Sequence, residues 1–427
     1  MTAQTTLELP APPRWYRWIV LVLISLAMFG NYYIYDAISP LADVLVTQLK
    51  FTDSDIGLLQ GIYSVPNIFM VLIGGFIIDR LGTKKSTFIF AVLCLLGAVI
   101  TVSSGTLFVM ATGRLVFGLG AESLIVAVTT AIAKWFRGKE LSFAFGINLT
   151  IARLGSFAAL NSPSWASKYY DNWQTALMIS VVFGVVCVAG AVIYWGLESK
   201  AEKKYQVGHA GPTDKVVFAD ILKFGTSYWY IVALCITFYS AIFPFQTFAV
   251  KFFIEAHGTS REMGGFLSSM LTLFAMVATP LFGLMVDKIG KRSLFMMIGS
   301  LLLVPVYLMM AYTHITLYIP MAMMGIAFSL IPGIMWPSVA YIVGESKLGT
   351  AYGLMTLIQN IGLAGFNFLI GWANDFSGAS AANPGGYSLG MWFFSSLGFF
   401  GFVFAYLLRR SEMGPNAHGL ETITTKG

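Results

Sequence analysis

The sequence predicts an all-α integral membrane protein, with twelve transmembrane helices arranged as two pseudo-symmetric bundles of six. Three observations predict it. The 427 residues are 57% hydrophobic and only 11% charged, with a mean hydropathy of +0.75. A soluble domain is about 45–50% apolar and about 25% charged. Apolar runs of the roughly 20 residues needed to cross a bilayer recur twelve times. One loop motif occurs twice, about half a chain apart.

The elements follow in order. The first 13 residues are polar and proline-bearing, and the apolar run behind Arg17 is too long for the core of a cleavable leader. It is read as a first retained span over about 18–40. Spans at about 55–78 and 86–105 flank the charged loop "DRLGTKKS". Spans at 107–134 and 141–165 flank "KWFRGKE", and a sixth covers 173–197. The one long polar stretch, Glu198 to Gly225, then divides the chain. Inside it, "TDKVVFADILKFG" sets Val216, Val217, Phe218, Ile221, Leu222 and Phe224 on a broad apolar face. That face reads as a short interfacial helix, with a simple linker as the alternative. Six further spans fall at about 226–252, 263–286, 293–313, 316–343, 348–373 and 388–408. The division is therefore an N-terminal bundle over 1–197, a cytoplasmic linker over 198–225 and a C-terminal bundle over 226–427.

Basic residues set the orientation. With the N-terminus inside, inside loops and tails hold 20 of the 26 Lys and Arg residues. Outside loops hold four: Lys50, Lys168, Lys251 and Arg261. Arg114 and Arg153 lie within spans. Both termini are expected in the cytoplasm, and the +6 net charge is explained as topological anchoring without nucleic acid. Cys94, Cys187 and Cys235 sit in apolar runs at wide spacings and read as packing residues. The four histidines fall in loops or tails, so no metal site, cofactor or catalytic constellation is indicated.

"GGFIIDRLGTKKS" follows the second span and "FGLMVDKIGKRS" the eighth. Aligning Asp79 with Asp287 also aligns Gly75 with Gly283 and Gly82 with Gly290, at an offset of 208 residues. Two six-helix halves in the same orientation are parallel repeats about an axis along the membrane normal. The pattern resembles the major facilitator superfamily over the whole chain. Its loop signature is met fully by Gly283, Asp287, Lys288, Gly290, Lys291 and Arg292. The first copy has Gly75, Asp79, Arg80 and Gly82, with Thr83 where an arginine is usual. Gly75 and Gly283 are expected to allow close helix contact, and Gly82 and Gly290 a tight turn. The resemblance implies that Asp79, Arg80, Asp287 and Lys288 join the halves on the cytoplasmic side when the site faces outward. Topological anchoring alone is the alternative.

Ionisable residues inside a membrane are expensive, at roughly 2.5–3.5 kcal/mol or more each. The spans contain four: Asp36, Arg114, Glu122 and Arg153. Glu122 lies about 12 residues, or ~18 Å, above the cytoplasmic end of the fourth span, and Arg153 lies as far above the start of the fifth. Both are near the middle of a ~30 Å core, where transporters built from such repeats hold their substrate. Three readings stay open: an inert ion pair, a proton relay, and direct binding. In the last, Arg153 holds a carboxylate and Glu122 an ammonium, which suits a zwitterion. Asp36 and Arg114 lie nearer the outer surface and are expected to pair there, as a gate or coupling element or as a structural link. Asn31 and Tyr35 share a face of the first span. Tyr239, Trp336, Gln359 and Asn360 supply neutral polar and aromatic surface from the second half, and Tyr63 and Asn67 are further candidates.

The segments "YSVPNIFMVLIGGFIIDR", "GLGAESLIVAVTTAIAKWFRGKELSFAFGINLTIARLGS" and "MWPSVAYIV" with "KLGTAYGLMTLIQNIGLA" are similar to the superfamily branch of the lysosomal dipeptide transporters. That resemblance implies dipeptide cargo and uniport-like transport, with Glu122 and Arg153 at the positions implicated in binding. The alternative is a proton-coupled carrier of an organic anion such as a monocarboxylate or a siderophore. The N-terminal tail shows no clear dileucine sorting signal, and the sequon at Asn148 lies inside a span. A prokaryotic inner-membrane protein is therefore expected, monomeric and with no obligate protein partner. Its partners are the lipid bilayer and a small-molecule substrate.

Overall fold

Inside hydrocarbon a backbone amide has no water to bond, so each apolar run must satisfy its own N–H and C=O groups as a helix. The computed structural model describes residues 10–136, 140–206, 224–344, 347–415 and 417–424, without the side chains of residues 71, 72 and 142. The N-terminal bundle comprises α1 (Arg14–Asp36), α2 (Ala42–Leu49), α3 (Asp53–Gly61), α4 (Ser64–Ser103), α5 (Leu107–Phe136), α6 (Leu141–Leu160), α7 (Ser162–Trp165) and α8 (Trp173–Ala201). The C-terminal bundle comprises α9 (Thr226–His257), α10 (Arg261–Ile289), α11 (Arg292–Tyr312), α12 (Tyr318–Ile342), α13 (Leu348–Phe376) and α14 (Ser388–Glu412).

Among the described residues, eleven helical segments are long and apolar enough to cross a membrane. The twelfth crossing is the second span. It is made by α3 and the first part of α4, interrupted by a turn at Ile62–Tyr63. Within α4 a kink at Gly82, at φ 78°, separates the helix of the second span from that of the third. Gly290, at φ 72°, ends α10 in the matching place. Both positions need the left-handed region that glycine enters without strain. The proposed interfacial helix over 216–224 falls almost wholly outside the described residues.

At the end of the molecule that carries the start of α1 and the close of α14, here the near end, Thr83 has a specific partner. Its hydroxyl donates to Glu198 of α8 at 3.0 Å. Glu198 also accepts from Lys134 at 2.8 Å, from Trp135 Nε1 at 3.2 Å and from the Tyr194 hydroxyl. This buried carboxylate ties α4, α5 and α8 around the first motif loop. In the second loop Arg292 pairs with Asp287 at 3.0 Å and donates to the carbonyl of Ile423 in the C-terminal tail at 2.7 Å. Arg80 and Lys288 lie on the exposed surface. A Cβ at Gly283 would meet nothing within 4 Å, so the close helix contact expected there is not made.

At the opposite, far end the bundles are pressed together. A Cβ on Gly57 of α3 would lie 2.2 Å from the Asn367 carbonyl oxygen, and one on Gly371 of α13 2.2 Å from that of Asp53. Only glycine permits backbones this close. One apolar cluster runs unbroken from the C-terminal bundle into the far ends of α1, α3, α5 and α8. A second is confined to the N-terminal bundle. Lys251, expected in an outside loop, is instead buried inside α9, because Phe252 and Phe253 extend that helix to His257.

Replacing Glu198 by alanine should destabilise the protein by about 3 kcal/mol or more, because the buried donors of Thr83, Trp135 and Tyr194 lose their acceptor and Lys134 keeps only the exposed Glu202 among the described residues, at 3.4 Å. Thermal unfolding in detergent measures this. An unchanged melting temperature would remove the account of the first loop.

Candidate functional site

Helical spacing gathers the polar residues of seven helices on a central cavity of about 370 Å³, at the small end of the range for ligand pockets. From α1 come Asn31, Tyr32, Tyr35 and Asp36, from α5 Glu122, and from α6 Arg153 with Ser156 one turn on. From α9 come Tyr239, Phe243 and Gln246, which repeat every three to four residues as one helix face must. Helix α10 adds Thr272, α12 Trp336, and α13 Thr356 and Gln359. All three charged residues of the lining belong to the N-terminal bundle. The C-terminal bundle supplies only neutral polar, aromatic and aliphatic groups.

Arg153 is held by rings. Its guanidinium lies 5.6 Å from the Tyr32 ring centroid and 5.3 Å from that of Phe328 on α12. Stacking of this kind fixes the plane of the fork while leaving its N–H groups available. Among the described residues, Arg153 and Glu122 form no ion pair with each other or with any other side chain within 4 Å, and neither makes a protein hydrogen bond. The inert ion pair is thereby removed from the three readings. The two charges face one cavity separately.

The neutral side is cross-linked by its own contacts. Trp336 Nε1 donates to the Tyr239 hydroxyl at 3.0 Å, and Tyr239 stacks on Phe243 with centroids 5.6 Å apart. Asn31 donates to the Ala121 carbonyl at 3.2 Å, setting α1 against the turn of α5 that bears Glu122.

Two expectations change. Asn360 does not line the cavity. Consecutive helical residues point about 100° apart, so Gln359 faces inward while Asn360 is buried against α4 and accepts from Asn67 at 3.3 Å. Arg114 does not pair with Asp36. It donates to the carbonyls of Ile34 at 3.0 Å, Tyr35 at 3.2 Å and Leu59 at 3.1 Å, and to Gln60 Oε1 at 3.0 Å. Helices α1 and α3 end within two residues of these carbonyls, and the last turn of a helix leaves its carbonyls unsatisfied. Arg114 therefore caps two helix C-termini with one buried guanidinium, a favourable placement for a cation. Tyr63 lines the cavity, as considered from sequence. Tyr32, Ser156, Gln246, Thr272 and Thr356 went unnoticed. Ser156 and Gln246 follow Arg153 and Tyr239 at helical spacing, a signal that was available.

The family profile described as Major Facilitator Superfamily matches residues 24–260 and 232–423. The lysosomal dipeptide transporter MFSD1 of Bos taurus is 33% identical over 376 residues, which cover 85% of this chain and 80% of that protein. The Homo sapiens protein of the same name is 32% identical over 376 residues, covering 85% and 81%. Among solved structures, a bacterial homolog of the human lysosomal transporter Spinster, in an inward-facing and occupied conformation, superposes with a TM-score of 0.74. It has 17% identity and covers 93% of this chain and 98% of that one.

Arg114→Met should lower stability by about 3 kcal/mol or more, since buried acceptors left without a donor cost about 1–3 kcal/mol each. Arg114→Lys, which cannot span four acceptors, should recover only part of it. Wild-type melting of both variants in detergent would return Arg114 to a purely gating role.

Proposed function

The chain belongs to the major facilitator superfamily, a family of membrane transporters rather than enzymes, and on that premise we propose that it carries small zwitterionic peptides, dipeptides foremost, by alternating access. One observation carries the reading. A carboxylate and a guanidinium, Glu122 and Arg153, face the same cavity from neighbouring helices and, among the described residues, are ion-paired within 4 Å neither with each other nor with another side chain. Removing a charge from water without a partner is strongly unfavourable. A ligand bearing both an ammonium and a carboxylate supplies both partners at once. Arg153 takes the carboxylate through its planar fork, and Glu122 takes the amine. The neutral lining of the C-terminal bundle, with Tyr239, Trp336 and Gln359, receives side chains without demanding a particular charge. The relatives named above as dipeptide transporters support the same cargo.

In this reading the basic-residue asymmetry puts the near end in the cytoplasm, so the pressed-together far end is the outer mouth and the cavity serves the cytoplasmic side. The inward-facing conformation of the Spinster homolog supports that state. Asp79, Arg80, Asp287 and Lys288 are then the residues that join the bundles when the near mouth closes. Residence in a prokaryotic inner membrane is likewise a proposal. It rests on the short loops, while the relatives named above are lysosomal.

Glu122→Gln and Arg153→Lys should each weaken dipeptide binding about tenfold to a hundredfold, the loss of one charge-assisted bond of about 1.5–3 kcal/mol, with folding intact. Ligand-induced thermal shift reads this, and counterflow in proteoliposomes without a pH gradient should show dipeptide exchange. Normal dipeptide transport by both variants would refute the site. Proton-driven uptake of a carboxylate lacking an amine would favour an organic-anion carrier instead.

A further inference from the structure

The halves repeat at an offset of 208 residues, and the same offset carries Asp43 onto Lys251 and Asp53 onto Arg261. These four residues meet across the far mouth. Asp53 at the start of α3 pairs with Lys251 of α9 at 2.6 Å, both nearly inaccessible, and accepts from Asn374 of α13 at 3.0 Å. Arg261 at the start of α10 grips both oxygens of Asp43 on α2, each at 2.6 Å, and donates to the Pro40 carbonyl at 3.2 Å. Exchanging the halves turns one pair into the other with its charges inverted. Every acid of the two pairs lies on the N-terminal bundle and every base on the C-terminal bundle.

We infer that Asp43–Arg261 and Asp53–Lys251 are a charge-inverted, pseudo-symmetric latch that holds the far mouth shut and releases as a unit in the transport cycle. The inversion has a physical consequence. Had the repeat conserved its charges, each bundle would carry an acid beside a base at its own rim, and the two would satisfy each other once the mouth opened. With the charges segregated, the two latch residues of each bundle carry like charge and cannot pair with each other, so the attraction within the latch acts between bundles. Lys251 has one alternative within its bundle, Glu255 one turn on at 3.6 Å, itself held by the Tyr387 hydroxyl at 2.5 Å. That carboxylate receives the ammonium when Asp53 withdraws. A charge pair also suits a gate that must open repeatedly, because its attraction when dry is offset by hydration of both groups when wet. An apolar plug has no such compensation. Asp375 at the end of α13 adds a third contact. It accepts from the backbone N–H groups of Asp53 and Ser54 at 2.8 Å each, at the positive start of α3.

The latch rests on the alternating-access reading but not on the identity of the cargo, and its test needs no ligand, so the two fail separately. Spin labels on Thr47→Cys of α2 and Glu262→Cys of α10, both exposed, report the width of the far mouth, since Cys94, Cys187 and Cys235 are buried. Asp43→Arg alone and Arg261→Asp alone should each raise the population with a long inter-label distance about tenfold. The double variant Asp43→Arg/Arg261→Asp should return it to the wild-type distribution. Asp53→Lys/Lys251→Asp should behave likewise, with melting in detergent confirming its fold. Because the Asp43–Arg261 pair is part-exposed, it decides the question even if the buried swap does not fold. Wild-type distances in the single variants, or a double variant as open as the singles, would overturn the latch.

Discussion

A buried charge must find a partner or a water-filled space, and the places of Arg114, Glu198, Asp53, Glu122 and Arg153 follow from that constraint. Arg114 answers it with helix-end carbonyls, Glu198 with donors from three helices, and Asp53 with Lys251. Each of these buried groups is satisfied, and each joins elements that must not slip. Glu122 and Arg153 are different in kind. They project into the cavity with their polar atoms uncommitted, and protein rings fix the guanidinium where a carboxylate would ordinarily have done so. A stable fold has no need of that arrangement. The proposed carriage of a zwitterion does.

The same division separates the two ends of the molecule. Glycines at the α3–α13 crossing bring backbones into contact at the far end, and the charge pairs surround that crossing. At the near end each motif loop is braced within its own bundle, by Glu198 in one half and by the C-terminal tail on Arg292 in the other. The bundles are thus stiff bodies, joined chiefly where they are dry. In the proposed transport cycle, rocking one on the other would exchange contacts at the far rim for contacts between the motif loops.

Much of this was legible in the sequence, because membranes simplify the reading. Run length predicts spans, and the repeated "GGFIIDRLG" and "FGLMVDKIG" predict two equivalent halves. Counting residues from the helix ends put Glu122 and Arg153 at one level, and the structure places both on the same cavity. What stayed hidden depended on direction and on the backbone. Asn360 and Gln359 are neighbours in the chain yet face opposite surroundings. The acceptors of Arg114 are mostly carbonyls, which no side-chain pattern reveals. Lys251 looked like a loop residue because a charge usually marks the end of a span, and its buried partner comes from the other half. The offset that aligned the motifs already contained the two latch pairs, but spatial contact was needed to make their charge inversion meaningful.

The central claim is that Glu122 and Arg153 hold opposite ends of one small peptide. The most direct measurement compares a dipeptide with its N-acetylated and C-amidated forms in binding to the wild type, Glu122→Gln and Arg153→Lys, arranged as coupling cycles between ligand and protein. The account predicts that acetylation weakens binding to the wild type yet adds little further loss in Glu122→Gln, and that amidation costs less in Arg153→Lys, which keeps the charge but loses the planar fork, than in the wild type. Fully additive losses, or coupling of the amine to Arg153 and the carboxylate to Glu122, would contradict it.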